Sequence, residues 1–218
     1  MNTTSPSGEF KDAIRLLQQY SALINAGKTS AKNYLNRGKV HQQLRMLEAA
    51  LRDYAAALAK TPTRNAKTHA LIYNLSNICQ RELGRYQEAV VAGYESVRLA
   101  PRMVDYQINL AISCYGAGDY EGALSAASNA LQLNPDNSEL WSLRGWSNYQ
   151  LGDFAAAHAD FSESIARDNS VSSYLGRGLV YSAVDDEAAA QADFDQYIAL
   201  HPAGPGAASN EIARYLGN

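Results

Sequence analysis

The chain has 218 residues, 46% of them apolar, and a net charge of −3; the length lies a little above one ordinary domain and the apolar share is enough for a continuous core. No apolar stretch is long enough to span a membrane, the start MNTTSPSGEF lacks the basic and apolar regions of a secretory signal, and the alternating pattern of strands is absent. The charge is uneven: residues 1–70 hold eleven Lys/Arg against four Asp/Glu, and residues 71–218 hold eight against eighteen, an asymmetry that concerns partners rather than fold.

Residues 1–8 are small and polar and read as a disordered tail in which Ser7 offers a helix cap. Phe10, Ile14, Leu17, Ser21 and Ile24 then recur at helical spacing. They predict an N-terminal capping helix over residues 9–27, stopped by Gly27.

From Ala31 the chain repeats itself. An alanine in a second helix returns at Ala50, Ala89, Ala123, Ala157 and Ala190, at intervals of 39, 34, 34 and 33 residues. Twelve residues later stands a helix stop: Pro62, Pro101, Pro135, Asn169, Pro202. Twelve residues earlier is a small slot (Gly38, Asn77, Ala111, Gly145, Gly178), and sixteen earlier an aromatic one (Tyr34, Tyr73, Gln107, Trp141, Tyr174). The turns use Gly84, Gly118 and Gly152, with Arg45 and Asp185 in the outer repeats. Five repeats result, over 31–64, 65–103, 104–137, 138–170 and 171–203. The longer first interval, around TPTRNAKTH, predicts that the next helix starts a turn early, because Ala66, Ala70 and Tyr73 keep the helical spacing. After the break AGPG, with Ser209-Asn210 as a cap, Ile212, Tyr215 and Leu216 predict a C-terminal capping helix over 207–217.

These slots resemble the tetratricopeptide repeat consensus, a helix-turn-helix unit of about 34 residues. The resemblance implies an all-α, right-handed α-solenoid with first helices lining a concave face and second helices a convex one. Asn77, Gln107 and Asn169 depart from the consensus, as do Gly93 and Ala127, which stand where Tyr54, Phe161 and Phe194 fill an aromatic slot. The middle repeats are therefore expected to be the least tightly packed, and NLS at Asn74–Ser76 admits a register shift by one residue.

An arginine precedes an aspartate by sixteen residues three times: Arg37 with Asp53, Arg144 with Asp160, Arg177 with Asp193. The same slots hold Ser76 with Ala92 and Leu110 with Ala126. Charges present or missing together predict half-buried ion pairs between the two helices of a repeat.

Taken with the family's concave face, the first-helix stripe gives a candidate partner-binding groove: Asn74, Ile78, Arg81, Ile108, Ile112, Tyr115, Ser142, Trp146, Tyr149 and Leu179. Trp146 and Tyr149 are its expected centre, since such residues dominate binding hot spots. A second, basic surface is Lys32, Asn36 and Lys39. In the family, two lysines and two asparagines clamp acidic chaperone tails; here Leu35 and Lys39 occupy the first slots of that clamp, so the clamp is not carried over. The four histidines are scattered, Asp185-Asp186-Glu187 sits in a turn, and no phosphate loop, nucleophile elbow or paired metal motif is present. The expectation is a cytoplasmic adaptor, not an enzyme and without cofactors, holding a peptide or helix of another protein in the groove. The alternative is a basic N-terminal docking surface for an acidic partner or nucleic acid. Cys79 and Cys114 read as buried thiols of a reducing compartment.

Overall fold

The computed structural model describes residues 6–201 and 203–216. The protein is all-α: the described residues form twelve helices and no strand. They fall into two compact units, residues 1–117 and 118–218. The first contains α1 (Pro6–Asn25), α2 (Ala31–Gln43), α3 (Leu47–Lys60), α4 (Ala66–Glu82), α5 (Tyr86–Leu99) and α6 (Val104–Ala117). The second contains α7 (Tyr120–Leu133), α8 (Ser138–Gln150), α9 (Phe154–Asp168), α10 (Val171–Ala183), α11 (Glu187–Leu200) and α12 (Pro205–Leu216).

The terminal helices differ from expectation at their starts. α1 begins at Pro6, so residues 6–8 belong to a helix rather than a tail, and Ser7 lies inside the first turn instead of capping it. α12 begins at Pro205, placing Ser209-Asn210 within the helix rather than at its cap. In α12 proline, preset for the first helical position and losing only an N–H that would go unbonded, opens the helix earlier. Residues 1–5, Pro202 and the last two positions lie outside the described residues.

The stops of α1 and of the first helices of repeats 1, 2, 4 and 5 share one geometry. After α1, Gly27 takes φ +81°, its N–H bonds Ile24 O at 3.0 Å, and Lys28 N–H bonds Leu23 O at 3.0 Å. This double bond pattern satisfies carbonyls that the helix end leaves open. It recurs at Gly84, at Gly152, and at Arg45 and Asp185, the last two at φ 59° and 60° without glycine's freedom. The extra residues near Thr61 do extend the following helix: α4 runs 17 residues against 13 for α2, α8 and α10, with Asn65 accepting from Thr68 N–H.

Repeats 1, 4 and 5 each close their two helices over a matched pair of residues. A Cβ added to Gly38 would stand 2.6 Å from the Tyr54 ring, one added to Gly145 2.8 Å from Phe161, and one added to Gly178 2.6 Å from Phe194. The ring therefore occupies all the room that glycine leaves. In repeat 2 the sizes are exchanged: a Cβ on Gly93 would meet Asn77 Nδ2 at 2.9 Å. Asn77 is fully buried and donates to Ala89 O at 2.7 Å and Ser113 Oγ at 2.8 Å. Repeat 2 is thus filled here, not loosened, and Asn77 keeps the register of the other small-slot residues.

The core of unit 1 gathers Leu47, Ala50, Tyr54, Ala57, Ile72 and Cys79. Burial pushes the Cys79 thiol up to about 12. The core of unit 2 gathers Leu175, Leu179, Phe194 and Tyr197 with Ala208 and Ile212 of α12.

Candidate functional site

Three aspartates sit almost wholly inside the repeats, at 3%, 3% and 5% exposure for Asp53, Asp160 and Asp193. Arg37 reaches Asp53 with Nε at 2.8 Å and Nη2 at 2.6 Å. Arg144 holds Asp160 at 2.9 and 2.6 Å, and Arg177 holds Asp193 at 2.7 and 2.8 Å. Each pair is a two-pronged, charge-assisted fork between the helices of one repeat. Each guanidinium also lies over the aromatic residue three positions earlier: 5.7 Å over Tyr34, 4.7 Å over Trp141 and 5.8 Å over Tyr174. The hydrogen bond to its aspartate raises the pKa of Arg37 and of Arg177. Sequence reasoning missed a third member: His41 Nδ1 lies 2.9 Å from Asp53, and Asn148 donates to Asp160 at 2.9 Å. The common twelve-residue spacing was the available signal. These groups satisfy one another, which is the work of an internal strut and not of an exposed ligand site.

The stripe expected to form the groove divides between the units. In unit 1, Asn74 is buried and accepts from Asn109 Nδ2 at 3.0 Å, while Arg81 Nη1 donates to Asn109 Oδ1 at 3.3 Å. Asn109 links α4 to α6 and was not singled out from the sequence. Ile78 lies one turn before Arg81, and Ile112 one turn after Asn109; Ile112 is exposed, whereas Ile78, Ile108 and Tyr115 are half-buried. Arg81 is in no ion pair among the described residues, and burial lowers its pKa against the opposing pull of Glu82.

In unit 2 the expected centre of the groove is covered by the chain itself. Tyr215 of α12 stacks on Trp146 with ring centroids 5.8 Å apart and 30° between planes. Trp146 also stands edge-on to Phe161 at 5.3 Å and to Tyr149 at 6.0 Å, and its indole donates to Ser172 Oγ at 3.0 Å. Leu179, at 2% exposure, is core beneath α12, and Ser142 is buried. α12 is held by Tyr197, which donates to Glu211 at 2.6 Å, with His201 3.4 Å from the same carboxylate. The assignment of Trp146, Tyr149, Ser142 and Leu179 to an open groove is therefore corrected. Helical periodicity places them on one face, but it carries no information on whether a later helix lies over that face.

At the basic surface, Lys32 and Lys39 are exposed, but Asn36 donates to Tyr20 of α1 at 3.2 Å. Among the described residues no cluster of His, Cys, Asp and Glu could hold a metal ion, and no helix is long and apolar enough to cross a membrane.

Residues 108–172 match the family model of the tetratricopeptide repeat. No curated protein matches in sequence. Among solved structures, the C-terminal part of a TPR repeat-containing protein from Cytophaga hutchinsonii aligns with a TM-score of 0.74 at 17% identity, over 95% of this chain and 85% of that one. MamA from Desulfovibrio magneticus RS-1 aligns with 0.71 at 17%, over 79% and 96%. YrrB, described as a TPR protein with an unusual peptide-binding site, aligns with 0.70 at 20%, over 84% and 92%. At these identities the likeness shows the fold.

Proposed function

Because the chain is a tetratricopeptide-repeat protein in fold, we propose that it is a non-catalytic interaction scaffold whose first-helix face on α4 and α6 binds a peptide of a partner protein. The observation that carries this reading is Arg81. A half-buried guanidinium is costly without a counter-charge; the head of this one hydrogen-bonds the neutral amide of Asn109, and Glu82, the carboxylate that acts on it, is bridged to Arg45. A carboxylate from a partner peptide supplies what the chain does not. Asn74 and Asn109 fix the Arg81 head through their hydrogen bonds, and Ile78, Ile108 and Ile112 offer apolar flanks to the residues beside that carboxylate. The fold likeness to YrrB and its peptide-binding site supports this reading. Two buried thiols suit a reducing compartment, and we place the protein in the cytoplasm.

A peptide-display selection against the purified chain tests the proposal. Enriched sequences should carry an acidic residue or a free C-terminus next to apolar residues. Arg81→Gln should weaken them on the order of tenfold, the scale of one charge-assisted contact, and Ile112→Asp should weaken them further. Selected peptides that bind Arg81→Gln and Ile112→Asp as well as the original would overturn it.

A further inference from the structure

The Arg–Asp strut recurs in repeats 1, 4 and 5 but is dismantled in repeat 2, and a cavity opens there. Its volume is about 590 Å3, lined by α3, α4 and α5. The equivalent position in repeat 4 leaves about 330 Å3, and each residue lining it has a counterpart in the larger cavity. Leu51 and Ala55 stand for Leu124 and Ser128, Ser76 for Arg144, Gln80 for Asn148, and Ala92 for Asp160.

What has been taken away and what has been kept define the ligand. Both charges of the ion pair are gone, so the floor between Ser76 and Ala92 is neutral. The aromatic residue over which the arginine lies in the other repeats is kept as Tyr73, and Leu51, Leu58 and Ile72 supply apolar walls. The amide position is kept too, and Gln80 Oε1 is buried without a hydrogen-bond partner among the described residues. A buried acceptor left unbonded is costly. At the rim, Arg85 is already paired with Glu48, and Arg52 and Glu88 offset one another, so the mouth offers a cationic ligand little net charge.

We propose that this cavity receives a planar, uncharged aromatic side chain carrying one N–H donor, a tryptophan of a partner protein, with its indole beside Tyr73 and its N–H bonded to Gln80 Oε1. The site is separate from the Arg81 face: Tyr73, Ser76 and Gln80 follow one line along α4, about 130° round the helix from Asn74, Ile78 and Arg81.

The test titrates the full chain with indole while backbone amide shifts are followed by NMR. Indene, of the same shape without the N–H, and methylguanidinium serve as comparisons. Indole should shift Ser76, Gln80 and Ala92 and should bind roughly fivefold tighter than indene, the scale of one hydrogen bond. Gln80→Leu should erase that preference while leaving helicity unchanged. Ser76→Arg/Ala92→Asp, which rebuilds the strut of the other repeats, should abolish binding. Indole shifts that persist in the rebuilt variant, or no shifts at millimolar indole in the original chain, would overturn the proposal. Tighter binding of methylguanidinium than of indole would also overturn it, marking a cationic site instead. None of these outcomes depends on Arg81, so failure here leaves the peptide groove standing, and the reverse also holds.

Discussion

In repeat 4, Asp160 collects hydrogen bonds from Arg144 and Asn148, and the aromatic face above it is stacked by Tyr215. In repeat 2, the matching residues are Ala92, Ser76 and Gln80, and the matching first-helix face ends in an arginine without a carboxylate. The same contrast holds for the units as a whole. The three buried side-chain acceptors without a partner among the described residues, Asn77 Oδ1, Gln80 Oε1 and Gln107 Oε1, all lie in unit 1. Unit 2 has spent its polar groups and its aromatic face on itself. Unit 1 holds donors, acceptors and one charge in reserve. The same repeat thus serves in a self-satisfied half and in a half with open interaction capacity, and residue choice within the repeats together with the α12 cover of unit 2 makes the difference.

The comparison breaks most visibly at the strut. Asp160→Ala should destabilise unit 2 by about 3–5 kcal/mol, because it strands a partly buried guanidinium and an asparagine amide; urea denaturation followed by circular dichroism measures it. A loss under about 1 kcal/mol would mean that the fork adds nothing beyond what repeat 2 achieves without it.

Next comes the exchanged size pair. Asn77→Gly and Gly93→Phe should each cost about 2 kcal/mol, one by leaving a hole and the other by overpacking. Together they should recover at least about 1 kcal/mol of that cost, since contacting sites do not add. Strict additivity in thermal melts would show that the two positions do not share one space.

The cover over Trp146 is worth less. Tyr215→Ala removes one stacked ring, a change of about 1 kcal/mol, and should shift Trp146 fluorescence to the red in a Trp141→Phe background. An unchanged spectrum would mean that α12 does not shield the indole in solution, and the open-groove reading of unit 2 would return.

Smallest is the turn at Asp185. Its left-handed backbone suits glycine, so Asp185→Gly should stabilise the protein by about 0.5–1 kcal/mol, read as a rise in melting temperature. The same change at Arg45 should gain less, because Arg45 also bridges Glu82 at 2.5 Å.

Much of the fold was legible because it is local and repeated. Alanine, glycine and proline at fixed intervals mark where helices approach and stop, and the paired presence of arginine and aspartate marks a contact across sixteen residues. The site was legible only in part. Asn74, Ile78, Arg81 and Ile112 follow from helical spacing, but Asn109 does not, since its role depends on a neighbour 28 residues away. Trp146 and Leu179 were misassigned because α12 returns onto α10, a long-range event that periodicity does not record. The cavity in repeat 2 was visible as two missing charges, yet their absence says nothing of whether neighbours collapse into the space.

The exchange of large and small residues between repeats 1 and 2 also bears on how the chain finds its partners while folding. Helices built to one pattern invite mispairing by a full repeat. Docking α2 onto α5 would set Gly38 against Gly93, two residues without side chains, and leave a hole. Docking α4 onto α3 would set Asn77 against Tyr54, and the two cannot share the room that glycine vacates. The helices of repeats 1 and 2 therefore carry opposite size labels, and slippage by one repeat between them is rejected at the first contact it makes.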